Sequence, residues 1–268
     1  MADDYALDDV AREQARRRLA LLERQLDPAS QRRLAELGVS EGWHCLEVGG
    51  GGGSVTRWLC RRVGASGHLL ATDLDTRFLR EIDEPMLEVR RHDVTAEALP
   101  QGRFDLVYTR WLLHHLPHQE RVIASMAAAL RPGGWLLIEE VDFFPVYASA
   151  SELYVDFMVA LTEAIVAESG GDAFWARALP ALVAGRGLTE VGAEGDIGVL
   201  RGGSAWAEFF ELTGEQMREE VVCSGALSAE RFDAALALLE DPRLWAFGGA
   251  GIAAWGRRPH DGGESQGQ

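Results

Sequence analysis

Apolar residues recur along the chain in two rhythms. Val10, Leu19, Leu22 and Leu26 fall at helical spacing among Arg and Glu, which predicts an amphipathic helix over residues 8–26. Asp27-Pro28 predicts its end, and a second helix is expected from Ser30 to Leu37, stopped by Gly38. From residue 44 short apolar runs take over: His44–Val48, His68–Thr72, Leu87–Arg91, Phe104–Tyr108 and Trp135–Val141. Helical stretches separate them at Ser54–Val63, after Asp73, at Trp111–Leu116 and at Glu120–Leu130. Strand and helix alternating this closely predict right-handed crossovers, a parallel sheet and a ligand at the carboxyl ends of its strands. Beyond Asp142 helices dominate, over 149–168, Phe174–Ala184, 204–221 and 228–240, with strands at Leu188–Glu194 and Trp245–Trp255. The Gly-rich polar tail, residues 257–268, predicts disorder.

Composition narrows the chemistry. At 47% apolar, the 268 residues can bury a sizeable core as one domain, residues 1–256. The formal net charge of -16 would repel a nucleic acid, and the basic runs Arg16–Arg18 and Arg61–Arg62 read as solvated helix faces. The chain contains no Lys and no Asn. That excludes Schiff-base catalysis, a P-loop and N-linked glycosylation. Cys45, Cys60 and Cys223 match neither a metal site nor a redox pair, and Cys45 reads as a small core residue. No metal site is expected. The N-terminus has no apolar signal core and no run is long enough to span a membrane, so a soluble, cytoplasmic protein is expected, with no membrane partner. A homodimer is compatible with the sequence.

One segment concentrates the chemistry. In Cys45-Leu46-Glu47-Val48 followed by Gly49–Gly53 and Ser54, a short strand ends beside an acid, and five glycines open into a helix. Glycines let a backbone turn tightly and approach a ligand. The amides of the following helix favour a negative group. The dinucleotide spacing G-x-G-x-x-G fails, because Ser54 or Val55 stands where its last glycine belongs. Glu47 would be a poor neighbour for a pyrophosphate and a good one for an ammonium, whether directly or through water. S-adenosylmethionine carries an ammonium, a carboxylate and a sulfonium, and no phosphate. Asp73, 20 residues beyond Gly53, can accept bonds from ribose hydroxyls. Asp93 can accept one from an adenine amino group, with the Val94 N–H reaching a ring nitrogen; the alternative for Asp93 is a turn cap.

These residues together resemble the class I S-adenosylmethionine-dependent methyltransferases. Glu47-x-Gly49-x-Gly51-x-Gly53, Ala71-Thr72-Asp73, His92-Asp93-Val94, Phe104–Tyr108 with Leu113-His114-His115-Leu116, and Leu130-Arg131-Pro132-Gly133-Gly134 follow the family's motifs in order, over about residues 40–142. The resemblance implies an α/β, Rossmann-like, seven-stranded and mostly parallel sheet with helices on both faces and an antiparallel last strand. It implies a cofactor-binding core at 40–142, N-terminal helices at 1–40, and helical insertions at 145–172 and 198–243 forming a lid over the substrate. The second insertion departs from simpler members, which have a short hairpin there. Expected cofactor contacts are Glu47, Gly49, Gly51, Gly53, Asp73, Leu74, Asp93, Val94, Thr109 and Arg110. The implied activity is methyl transfer from S-adenosylmethionine to a small-molecule acceptor, in secondary metabolism. The alternative is a non-methylating enzyme, a cyclase or decarboxylase, that retains the cofactor.

Catalytic residues are harder to read, because the sulfonium supplies the activation and a base is needed only for some acceptors. His114 and His115 are the base candidates; the alternative is a structural or cofactor-positioning role. His118 reads as surface. Glu139, Glu140 and Asp142 end the fifth strand, with Glu140 and Asp142 on one side, where Glu140 could face the acceptor; the alternative is a solvated strand end. Tyr5 and the first helix could close over the cofactor. Aromatics such as Phe143, Tyr154, Trp206 and Phe209 read as helix packing or as the lining of a lid.

Overall fold

The structure, a computed structural model, describes the backbone of residues 2–167 and 169–260 and side chains from residue 12 onward. Its order is α1 (Ala2–Glu36), β1 (His44–Val48), α2 (Ser54–Val63), β2 (His68–Asp73), β3 (Leu87–Arg91), β4 (Phe104–Arg110), α3 (Gln119–Ala129) and β5 (Leu130–Asp142). There follow α4 (Glu152–Ala167), α5 (Leu179–Ala184), β6 (Thr189–Arg201), α6 (Ala205–Gln216), α7 (Arg218–Cys223), α8 (Ala229–Glu240) and β7 (Trp245–Arg257).

The expected seven-stranded sheet is present, in the order β3-β2-β1-β4-β5-β7-β6. Strands β1 to β5 are parallel, and β7 runs antiparallel to both β5 and β6. The chain steps outward from β1 to β3, then returns to add β4 on the other side. The strand order therefore switches between β1 and β4, and the crevice for a ligand opens at their carboxyl ends. Central strands are apolar on both faces, as a covered parallel sheet requires. Leu46, Val107 and Ile138 pack with α3 and α5, and Cys45, Leu106 and Leu137 with α1 and α2. A separate cluster around Phe157, Phe210 and Phe232 joins α4 to the α6–α8 insertion.

Several expected boundaries move. The two N-terminal helices are one: α1 continues through Pro28. Proline forfeits a helical hydrogen bond, but long-range anchors hold this turn. Asp27 accepts from Arg110 and Ser54, and Ser30 donates to Glu139. The helix expected after Asp73 shrinks to a 3-10 turn at Leu79–Glu81, and that over 111–116 to one at Leu113–His115. Strand β6 reaches Arg201 and β5 starts at Leu130, because both pair along their length with strand neighbours. The tail does not loosen at Arg257: β7 includes that residue, and the Arg258 N–H donates to Gly134 O. Residues 261–268 and the Tyr5 side chain lie outside the described part.

Candidate active site

Strand β1 delivers the chain into the glycine loop at the switch point. Gly49 and Gly50 both donate to Thr72 O of β2, at 2.8 and 3.1 Å. Gly51 adopts φ 54°, in the left-handed region that side chains avoid. At Gly50 space decides: a Cβ there would lie 2.9 Å from Leu79 Cδ2. Asp73 closes the loop, its Oδ2 accepting from the Gly51 N–H at 2.9 Å and its Oδ1 from the Asp75 N–H at 3.0 Å. Its half-exposed carboxylate keeps lone pairs free for further donors. Leu74, beside it, holds an apolar side chain 53% exposed. This suits the face of a base.

Glu47 is not where direct contact with an ammonium needs it. Its carboxylate is 3% exposed and accepts from Thr56 Oγ1 of α2 at 2.5 Å. It braces the loop from beneath, and burial pushes its carboxyl up to about 7. Asp93 caps a turn: its Oδ1 accepts from the Thr95 N–H at 2.9 Å and the Thr95 hydroxyl at 2.6 Å. Those bonds hold its pKa below the ordinary range. Val94 is half-buried and packs against the core cluster of β1, β4 and α3. Thr109 is fully buried, and its hydroxyl donates to Val48 O at 2.8 Å, which ties β4 to β1. Its side chain therefore offers no surface to a ligand. Arg110 reaches Asp27 Oδ1 at 2.9 Å, Ser30 Oγ at 3.0 Å and Ser54 Oγ at 3.2 Å, anchoring α1 over the start of α2.

The three acids ending β5 are buried anchors, not a solvated end. Glu139 accepts from Ser30 and Tyr108 at 2.6 Å and from Arg33 at 2.7 Å. Asp142 is fully buried and pairs with Arg177 at 2.8 Å. Glu140, 1% exposed, accepts from the N–H groups of Leu112 and Leu113 with one oxygen, at 2.9 and 2.6 Å. Its other oxygen lies 2.9 Å from His114 Nδ1. Glu140 therefore does not face an acceptor; it holds His114. The pairing favours the tautomer with the proton on Nδ1, which leaves Nε2 as an acceptor. His115 lies against His114 with ring centroids 3.9 Å apart and the planes tilted by 40°. Burial, His114 and Arg18 lower its pKa to about 3, so it is neutral at ordinary pH. His118 is exposed and starts α3.

Both histidines line a chamber of about 370 Å³ between α1, α4 and α6. Leu22, Ile165, Val166 and Phe209 make its walls. Trp111 shares it with a smaller cavity of about 130 Å³ beneath α1, bordered by Glu139, Glu140 and Arg110. Trp111 has φ 52°, uncommon for a bulky residue, and stacks on Trp206 with centroids 5.7 Å apart. Gly171 secures the histidine turn: a Cβ there would lie 2.1 Å from His114 O, and the next residue, Asp172, donates its N–H to that oxygen.

Sequence reasoning passed over Glu23. Its Oε1 accepts from the Ser54 N–H at 3.1 Å, so an α1 carboxylate sits on the N-terminus of α2. Burial pushes its pKa up. Arg33 and Ser30 were also missed, and only the acidic strand end they serve could have suggested them. Among the described residues no group of three His, Cys, Asp or Glu is placed to hold a metal ion. No helix described is long and apolar enough to cross a membrane.

Comparison with known proteins agrees with this geometry. The YcgJ protein of Bacillus subtilis has the same fold, with a TM-score of 0.58 at 12% identity over 85% of this chain and 97% of that one. A phosphoethanolamine N-methyltransferase of Haemonchus contortus, solved with S-adenosyl-L-methionine, has a TM-score of 0.52 at 17% identity over 91% of this chain and 52% of that one. The ubiquinone/menaquinone biosynthesis C-methyltransferase UbiE of Laribacter hongkongensis is 32% identical over 127 residues, 45% of this chain and 51% of the relative. The chain thus spans about half the length of the curated relatives it matches. The family profile described as a methyltransferase domain matches residues 9–186, more than half of the chain, and the protein belongs to that methyltransferase-domain family.

Proposed function

We propose that the protein transfers a methyl group from S-adenosylmethionine to a small-molecule acceptor. The observation that carries this reading is the adjacency of two devices at one sheet end. One is the glycine loop closed on Asp73; the other is a chamber presenting a histidine braced by a carboxylate. The residues fit the cofactor. Asp73 retains lone pairs for ribose hydroxyls, Leu74 offers an exposed apolar face, and the loop contributes no side chain. The family membership and the S-adenosyl-L-methionine in the Haemonchus contortus structure support the same cofactor.

When bound, the cofactor supplies a sulfonium-activated methyl group. The chain's own residues orient the acceptor and exclude water, which Leu22, Ile165 and Phe209 do by walling the chamber. His114 takes the acceptor's proton at Nε2, with Glu140 fixing its tautomer and ring plane, the general logic of a base oriented by a third group. His115, neutral, packs against it. The helical insertions 145–172 and 198–243 act as the lid.

Calorimetric titration with S-adenosylmethionine and S-adenosylhomocysteine, followed by product mass, tests the reading. Saturable binding and a product heavier by one methyl substitution support it. Binding without any gain in mass would favour the non-methylating alternative, and no binding by folded protein would refute the cofactor assignment.

A further inference from the structure

Consecutive arginines on α1 have different fates. Arg16 pairs with Glu81 at 2.8 Å and Arg17 pairs with Glu208. Arg18 has no carboxylate or other acceptor among the described residues, and burial alone pulls its pKa below the ordinary arginine range. It lines the chamber of about 370 Å³ that also holds His114 and His115. No Asp or Glu is among the chamber's described lining residues. Its two hydroxyls are turned inward: Thr162 donates to Met158 O at 2.8 Å and Thr213 to Phe209 O at 2.7 Å. Glu140, the acid behind His114, has both oxygens engaged by Leu112, Leu113 and His114. Among the described residues, the chamber is therefore apolar apart from its histidines and inward-turned hydroxyls, with one fixed positive charge and no described acid to balance it.

A half-buried cation without a partner costs free energy that an anion in the same space would recover. A guanidinium presents a planar fork of donors that fits a carboxylate with two parallel hydrogen bonds. The location suits an acceptor. Leu19, next to Arg18, comes within 3.8 Å of where a Cβ on Gly51 would sit, so this turn of α1 borders both the loop and the chamber. We propose that the acceptor is an apolar carboxylic acid, its carboxylate held by Arg18 and its hydrocarbon body packed against Leu22, Ile165 and Phe209. This rests on reading the chamber as the acceptor site.

Three probes of one shape test the charge preference: 1-naphthoate, neutral 1-naphthamide and cationic 1-naphthylmethylammonium. Each is titrated into the full chain and followed by calorimetry, with S-adenosylhomocysteine titrated separately. The expected order is naphthoate tighter than the amide by at least about tenfold, and the ammonium weakest. In Arg18→Gln the naphthoate advantage disappears while S-adenosylhomocysteine affinity stays within about twofold of wild type; Arg18→Lys keeps a naphthoate preference. Equal binding of naphthoate and amide by wild type, failure of both to bind, or a preference that survives in Arg18→Gln would each overturn the proposal. The two readings fail separately. Loss of S-adenosylhomocysteine binding in wild type, with the naphthoate preference and its dependence on Arg18 intact, would overturn the methyl-transfer reading and leave the anion site standing.

Discussion

The glycine loop and the chamber lie side by side at one end of the sheet, yet they are assembled differently. The loop itself is built from residues 47–94, along consecutive strand–helix units, with α1 reaching onto it only at its rim, and each of its own contacts uses a backbone N–H: Gly49 and Gly50 to Thr72 O, Gly51 to the Asp73 carboxylate. The chamber takes Arg18 from α1, His115 from the turn after β4, Ile165 from α4 and Phe209 from α6. Backbone recognition constrains short spacings, so a whole family can share it. Side-chain recognition assembled across long separations leaves each element free to change. The difference implies that cofactor binding and acceptor binding can be damaged independently in this protein.

The largest separation is expected at His114. His114→Ala should lower kcat by about 100-fold or more, the range of a lost general base, with S-adenosylhomocysteine affinity unchanged. Glu140→Gln should follow it with little loss of fold. A glutamine oxygen can still accept from Leu112 and Leu113, but its amide donates to His114 Nδ1 and moves the ring proton to Nε2. Steady-state kinetics beside a cofactor titration checks both. A parallel fall in cofactor affinity would mean that the two halves are one unit. An unchanged kcat would mean that the acceptor needs no base.

The loop half hides a carboxyl that burial keeps protonated into the neutral range. The Glu47 carboxyl sits at about 7 in the fold. Unfolded, it returns to the ordinary carboxylate range, so the native state holds this proton more tightly. Its contribution to stability is present in acid, is lost as pH rises through that window, and is flat above it. The whole effect is about 3 kcal/mol. Denaturant unfolding of wild type and Glu47→Gln at about pH 5 and about pH 7.5 isolates it, because other groups titrate alike in both proteins. Wild type should lose stability relative to the variant on going to the higher pH. Parallel behaviour would mean that Glu47 is solvated in the native state.

Asp73→Ala comes next. It removes the ribose acceptor and the Gly51 anchor together, and charged hydrogen bonds of this kind are worth about 10- to 100-fold in affinity. Naphthoate binding in the chamber should be unaffected. Loss of both would again tie the two regions together.

The same contrast explains what could be read in advance. The parallel sheet and the position of the glycine loop follow from apolar rhythm and motif spacing, which are local, whereas the antiparallel β7 is implied only by the family resemblance and the strand order is seen only in the structure. The failures are long-range. Pro28 announces a helix break that Asp27–Arg110 and Ser30–Glu139 contacts override, and these join residues about 80 to 110 positions apart. Arg16–Arg18 looks like one solvated face, but three neighbours on a helix point about 100° apart. One finds Glu81, one Glu208 and one the chamber. Glu139, Glu140 and Asp142 look like a wet strand end because the groups that bury them, Arg33, His114 and Arg177, lie elsewhere in the chain.

The smallest expected effect concerns the seam between the regions. Glu23 reaches from α1 to the Ser54 N–H, the point where a helix N-terminus would otherwise attract the carboxylate of S-adenosylmethionine. A Cβ on Gly52 would lie 2.4 Å from Glu23 Oε1, so this carboxylate is pressed onto the loop itself. Cofactor entry at that point then requires the Glu23 side chain to swing away, while Arg110 and Ser54 hold the helix itself through Asp27. Glu23→Gln keeps the shape and the acceptor oxygen but weakens the charge-assisted bond to Ser54. It should tighten S-adenosylhomocysteine binding by about threefold to tenfold, chiefly through a faster on-rate. Stopped-flow fluorescence measures this directly. Weaker binding instead would mean that Glu23 serves the cofactor's ammonium and belongs to the loop half; an unchanged rate would mean that the α1 contact opens without cost.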